Sequence, residues 1–375
     1  MRRRLAVVPL IGLLLIPAVP ARADDETLPG IAQTAKACAS ASAKNVQAVP
    51  WPQTFLHPEE AWPLAQGDGV TVAVLGSGVT DAAGILGGRL AGSSPHDCVG
   101  HGTFLAGLIA AAHRDGTGFA GIAPRARILA VGVTDDTGAS SADQLATGIR
   151  TAADAGARVI CVGVTVPTGS DALLTAVRYA VGKGSLVVAP AAADSTAGSA
   201  AQPPAAVYPA GYAEVLAVRD LGPGGVIPPN SAVPGRVDLA APGDAVMGPG
   251  PSGAGYFTGS GPSFATALVA GAAALTLSYQ PDLTVSQLIR RLKGTAYPTP
   301  VPTLDLVAAV TATLPEATPV SPLPARLTMP PAAPASPAPR QAAVIAGGAL
   351  ALVALVAVAA AVLPRGRRRG WRPRA

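Results

Sequence analysis

Gly259-Ser260-Gly261-Pro262-Ser263-Phe264-Ala265-Thr266 runs without a charge into Ala267-Leu268-Val269-Ala270-Gly271-Ala272-Ala273-Ala274-Leu275. A turn signal opens this stretch, and small and apolar residues fill the rest. It reads as a helix that crosses a crowded core, with Ser263 at its start. About 15 apolar residues are too few to span a bilayer. A Ser at a helix N-terminus is most simply an N-cap. The same position also favours a negative charge developing nearby. A second stretch has the same form: Gly100-His101-Gly102-Thr103, then Phe104-Leu105-Ala106-Gly107-Leu108-Ile109-Ala110-Ala111. Glycine on both sides of His101 lets backbone or ligand come close.

Outward from these helices, apolar runs of strand length recur at Val70–Leu75, Ile128–Val133, Val159–Val164, Leu186–Ala189 and Val215–Val218. Ala-rich segments of helix length, Ala142–Ala155 and Ala172–Val181, lie between them. Continuous apolar strands alternating with helices imply a parallel sheet covered on both faces, a three-layer α/β fold. Residues 24–60 carry Pro50, Pro52 and Pro58 and no clear period, and read as an irregular extension. Cys38 lies in it and Cys98 lies 60 residues on. In an exported chain a bridge between them is favoured, and closing that loop contributes roughly 4 kcal/mol. The alternative is three free thiols; Cys161, inside an apolar run, reads as buried and unpaired.

The two ends explain the composition. Met1-Arg2-Arg3-Arg4, an apolar run from Leu5 to Pro17 and Ala21-Arg22-Ala23 describe a secretory signal peptide over 1–23. Ala342 to Leu363 is uncharged, about 33 Å as a helix, enough for a bilayer core of roughly 30 Å. Arg365, Arg367, Arg368, Arg369, Arg372 and Arg374 follow, the flank that stays in the cytoplasm. Residues 315–340 hold nine Pro, the composition of an extended stalk. The chain has 375 residues, 27 cations and 22 acids, a formal +5. With four Arg in the leader and six in the tail, seventeen cations face all 22 acids, and the exported part carries about −5. The basic balance is a topology signal and excludes a nucleic-acid footprint. The four His, at 57, 96, 101 and 113, lack metal-ligand spacing, and no metal or cofactor is expected.

Taken together, His101 in its H-G-T setting, Ser263 in a variant of G-T-S-x-A, and Val237-Asp238-Leu239-Ala240-Ala241-Pro242-Gly243 resemble the subtilisin-like serine proteases over roughly residues 60–313. The leader, the Cys-bearing extension, Asp97-Cys98-Val99-Gly100-His101, the Pro-rich linker and the C-terminal helix are similar to the mycosins, the membrane-anchored subtilases of type VII secretion. The resemblance implies a subtilisin-like three-layer α/β/α fold with a mostly parallel sheet, plus one C-terminal transmembrane helix. The segments are then a signal peptide (1–23), an extension (24–60), a peptidase domain (61–313), a linker (314–341), a membrane helix (342–363) and a basic tail (364–375).

Two positions depart from the family pattern. Its catalytic Asp ends the first core strand, where this chain has Gly76 in Val72-Ala73-Val74-Leu75-Gly76-Ser77-Gly78. Asp81 and Asp97 are near in sequence but off the motif. Its oxyanion-hole Asn ends a later strand, where this chain has Asp194, with Asn45 and Asn230 the only Asn in the chain. An ionised carboxylate accepts where an amide would donate, and repels an oxyanion. Pro262, in place of the family Thr, removes one backbone N–H. In subtilisins themselves, losing the triad Asp costs about 3 × 10⁴ in rate and losing the Asn about 10²–10³. The resemblance therefore implies a protease scaffold with His101 and Ser263 in place and Gly76 and Asp194 degenerate. The expected role is a structural or binding subunit of a type VII secretion membrane complex. The alternatives are a weak or specialised serine endopeptidase acting on peptide segments, and a cell-envelope binding module. A carboxylate within hydrogen-bond reach of the His101 ring favours the endopeptidase.

Overall fold

The computed structural model describes residues 28–92, 96–194, 205–314 and 338–368. The expected leader, most of the Pro-rich linker and the last tail residues lie outside this range. The extension contributes β1 (Gly30–Ile31), α1 (Trp51–Leu56) and α2 (Pro58–Ala61). The body runs β2 (Thr71–Gly76), β3 (Leu90–Gly92), α3 (His101–Ala110), β4 (Arg127–Gly132), α4 (Ala142–Asp154), β5 (Val159–Val162), α5 (Asp171–Gly182) and β6 (Leu186–Pro190). It continues through β7 (Leu216–Leu221), β8 (Leu239–Pro242), β9 (Val246–Pro249), β10 (Tyr256–Gly259), α6 (Pro262–Tyr279), α7 (Val285–Gly294) and α8 (Leu306–Thr311). The described residues up to Leu314 form one compact unit, and α9 (Ala338–Arg368) belongs to a separate one.

The apolar runs become strands because they can be buried on both faces. In β2, Val72 and Val74 join one core with Phe104 and Phe264, while Ala73 and Leu75 join another with Leu145 and Leu173. That alternation is the period-2 signature of a sheet between two helical layers. The main sheet has seven strands in the order β3-β4-β2-β5-β6-β7-β8. Every neighbouring pair among the seven is parallel. α3 and α6 cover one face, α4 and α5 the other. β4 and β5 flank β2 on opposite sides, so the chain leaves β2 at a topological switch point, where open α/β sheets place their sites. Gly76 is the last residue of β2.

α6 is buried from Pro262 to Leu277, and its long apolar run belongs to the core. It passes a length-and-hydropathy test for a membrane span, yet 89% of that window is inside the body. Ala338–Gly366 passes the same test with mean hydropathy 2.6 and no burial, and contains the expected span 342–363.

The extension is less irregular than its composition implies. Pro52 and Pro58 fall in the first turns of α1 and α2, where a missing N–H leaves nothing unpaired, so they start helices instead of breaking them. β1 adds to β10 in a three-stranded sheet, β1-β10-β9. Cys38 and Cys98 are bonded. Cys161 is a buried free thiol on β5, and burial pushes it up to about 12.

Candidate active site

Two helix N-termini meet at the C-terminal end of the sheet. α3 begins at His101 after Gly100, whose φ of 85° is in the left-handed region. Its orphan N–H groups are met from outside. Asp97, buried at 3% exposure, accepts from the Gly100 N–H through Oδ1 (2.7 Å) and from the Thr103 N–H and O–H through Oδ2 (2.8 and 2.6 Å). The Gly102 N–H donates to Ser77 Oγ at 3.0 Å. Asp97 and Ser77 thus cap α3 and fix the ring of its first residue. α6 begins at Pro262, a first-turn position at which the missing N–H is harmless. Ser263 follows, and its backbone N–H donates to Asp194 Oδ1 at 2.9 Å. Gly261, at φ 145°, is the residue against which Asp194 lies; a Cβ there would meet Asp194 Cβ at 2.8 Å and its carboxylate more closely.

These caps bring His101 and Ser263 together although 162 residues separate them. His101 Nε2 is 2.9 Å from Ser263 Oγ. Both residues are fully buried, and the imidazole packs edge-on to Phe264 at 5.1 Å between centroids. The Ser263 hydroxyl donates to Asp194 Oδ2 at 2.5 Å, and that oxygen is 3.4 Å from His101 Nε2. Asp194 therefore holds both donors of Ser263 and faces the serine-side nitrogen of the imidazole. With the hydroxyl proton directed at Asp194, the hydrogen-bond network assigns the Nε2–H tautomer to His101, donating to Oγ. The other ring nitrogen, Nδ1, is buried and has no hydrogen-bond partner.

The remaining residues singled out from the sequence sort cleanly. Gly76 brings no side chain to the site. Asp81 is spent on its own turn, accepting from the Leu86 N–H at 3.1 Å. Asp97 is spent on α3. The carboxylate nearest the imidazole is Asp194, on the nitrogen that faces Ser263 and not on Nδ1. The capping roles of Ser77 and Asp97 were not read from the sequence; an acid six residues before Thr103, across a Gly, was the signal available. A further acid, Asp220, is buried at the end of β7 and accepts from the Ser231 hydroxyl at 2.6 Å. Burial holds its carboxyl above the usual range, the Ser231 hydrogen bond opposes this, and the Asp194 charge adds to the rise.

Residues 67–316 match the model of the subtilase family, Peptidase S8. Thermitase of Thermoactinomyces vulgaris is 38% identical over 235 residues, 60% of this chain and 81% of thermitase. Mycosin-4 of Mycobacterium tuberculosis is 32% identical over 360 residues, 80% of this chain and 79% of mycosin-4. The crystal structure of MycP1 from Mycobacterium smegmatis superposes with a TM-score of 0.65 at 28% identity, covering 80% of this chain and 95% of that one. A chain of the intact ESX-5 inner membrane complex superposes with a TM-score of 0.63 at 26% identity, covering 90% of this chain and 96% of that one. Family model, relatives and fold agree, and the chain belongs to the subtilase family, in its mycosin branch.

Proposed function

We propose that this chain is a membrane-anchored mycosin whose serine site does not turn over, and that it serves as an extracytoplasmic structural or binding subunit of a type VII secretion complex. The observation that carries the first half is the position of Asp194. A serine protease needs an acid on the far nitrogen of its His, so that the near nitrogen is free to take the serine proton. Here the acid is on the near side, His101 Nδ1 has no acceptor, and the Ser263 N–H that would face an oxyanion is already held by an anion. The second half is supported by the mycosin relatives, by the ESX-5 inner membrane complex to which one structural neighbour belongs, and by the apolar helix Ala338–Gly366 followed by Arg. In this reading residues 1–23 are removed, the body lies outside the membrane, and the Arg-rich tail stays in the cytoplasm.

One contact favours a second reading, a weak or specialised endopeptidase: His101 and Ser263 remain at 2.9 Å. A fluorophosphonate serine probe separates the two. The purified full chain in detergent is expected to remain unlabelled, and labelling that disappears in Ser263→Ala overturns the silent-site reading. Gly76→Asp combined with Asp194→Asn is expected to gain labelling; if it does not, those two positions do not account for the silence. Co-purification with the membrane subunits of a secretion complex tests the structural role, and their absence favours an independent envelope-binding module.

A further inference from the structure

We propose that the cavity between the extension and the start of α8 is a docking site for an arginine side chain presented by a partner protein. The inference goes beyond the silent-site reading: neither His101, Ser263 nor Asp194 lines this cavity, and the docking holds whether or not Ser263 reacts.

The cavity measures about 390 Å³, within the range of sites that enclose a ligand group. Leu56 from the extension and Leu304 and Leu306 from the body, all buried, line it with apolar surface. Phe55 and Tyr297 add two aromatic rings to the lining. Trp51 braces the Phe55 ring edge-on, 6.0 Å between centroids. Tyr297 is exposed at its side chain but held through its backbone. Its N–H donates to the Thr303 carbonyl at 2.8 Å, and its carbonyl accepts from the Thr303 N–H at 3.2 Å. The walls are therefore fixed by contacts within the body and do not wait for a ligand to form them.

The charges of the lining select its occupant. Glu60 and Asp305 supply two carboxylates, and no Lys or Arg is among the lining residues. Asp305 Oδ1 accepts from the Ala308 N–H at 2.8 Å, which fixes that carboxylate at the start of α8. Both acids act on the Tyr297 phenol. Burial holds it above its ordinary range, the charge and hydrogen bond of Asp305 add to the rise, and the Glu60 charge adds to it last. The two carboxylates and the ring thus share one space. His57, the remaining titratable group of the lining, is paired with Glu59 at 3.3 Å. A metal ion would need further ligands, and among the described residues no three His, Cys, Asp or Glu come together. A cation on an apolar stem fits this mixture of surfaces: the methylenes cover the leucines while the charge stays with the carboxylates. Of the two basic side chains, arginine suits it better. Its planar guanidinium lies against an aromatic face and donates toward two acids at once, whereas an ammonium is a compact, strongly hydrated point charge.

The test is ¹⁹F NMR of the full chain in detergent, with 3-fluorotyrosine at its six Tyr. The Tyr297 resonance is assigned by its loss in Tyr297→Phe. The probe is the blocked tripeptide acetyl-Gly-Arg-Gly-amide, compared at equal ionic strength with the same peptide carrying lysine or the neutral isostere citrulline. The arginine peptide is expected to move the Tyr297 resonance saturably, with a Kd of about 1 mM for one inserted side chain. The lysine peptide should bind more weakly, and the citrulline peptide should leave the resonance in place. Glu60→Gln combined with Asp305→Asn removes both charges and keeps the α8 cap, since Asn also caps helices. This variant is expected to bind the arginine peptide about tenfold more weakly or worse, and its other Tyr resonances report that it is folded. No saturable shift with the arginine peptide, an equal Kd for the lysine or citrulline peptide, or an unchanged Kd in the folded double variant overturns the proposal.

Discussion

At the scale of single residues, the site is decided by which atom of a side chain meets which partner, something residue identity does not carry. The sequence identifies His101, Ser263, Gly76 and Asp194, and the structure brings three of them into one cluster around α6. It also separates an acid on Nε2 from an acid on Nδ1, and only the second would orient a general base. Asp220 behind this cluster provides a separate check on the electrostatics. Its native carboxyl titrates above the unfolded value of about 3.9, mainly because it is buried. The native state therefore binds this proton more tightly than the unfolded chain does. Its contribution to stability is complete below about pH 3.9 and is lost as pH rises through the raised native value. Asp220→Asn removes the titration and keeps an oxygen for the Ser231 hydroxyl. The variant is expected to match the parent near pH 4 and to exceed it in stability at pH 8, measured by denaturant unfolding. An unchanged difference between the two pH values would show that Asp220 does not titrate abnormally.

Between elements, the fold was legible wherever burial on both faces removed the need for polar residues. The runs at 70–75, 128–133, 159–164 and 186–189 each lie within a residue or two of a strand. The pattern also read α4 and α5 closely from their Ala-rich, helix-length runs; the caps that fix their starts, Ser141 and Ser170, are seen only in the structure. It failed in the extension, where Pro52 and Pro58 look like breakers until their place in a helical turn is known. Glycines divide the same way, since the sequence does not say what lies beside them. Gly102 in α3 sits against the carbonyl oxygen of Gly78, a backbone atom that cannot turn aside. Gly182, the last residue of α5, has nothing within 4 Å of a built Cβ. Gly102→Ala is therefore expected to lose about 3 kcal/mol by overpacking, as this helix rests directly on the turn after β2. Gly182→Ala should gain about 0.5–1 kcal/mol by restricting the unfolded chain. Thermal unfolding of the two variants reads the sign directly, and similar shifts in both would refute the close packing of α3.

For the whole molecule, the question is what keeps an extension without a core of its own on the body. Backbone hydrogen bonds tie it down along its length. The Ala35 N–H donates to the Thr137 carbonyl, the Thr258 N–H to that of Pro29, and the Gly255 and Tyr256 N–H groups to those of Ser42 and Lys44. The Trp51 indole N–H reaches the carbonyls of Asp244 and Ala245. Such contacts are each worth about 1 kcal/mol net and can open one at a time. The Cys38–Cys98 bond is different in kind, because it ties the extension to the residues that cap α3, with 60 residues between its ends. Closing that loop removes unfolded-state entropy worth roughly 4 kcal/mol. For a body of this size that corresponds to a melting temperature lower by about 7 °C when the bond is absent. Cys38→Ser, Cys98→Ser and the double variant should all fall by that amount, since each deletes one and the same bond. If the double variant melts well below either single one, the sulfurs are contributing packing as well as closure. If all three lose less than about 1 kcal/mol, the hydrogen-bonded belt already confines the loop, and the disulfide adds covalent insurance without thermodynamic weight.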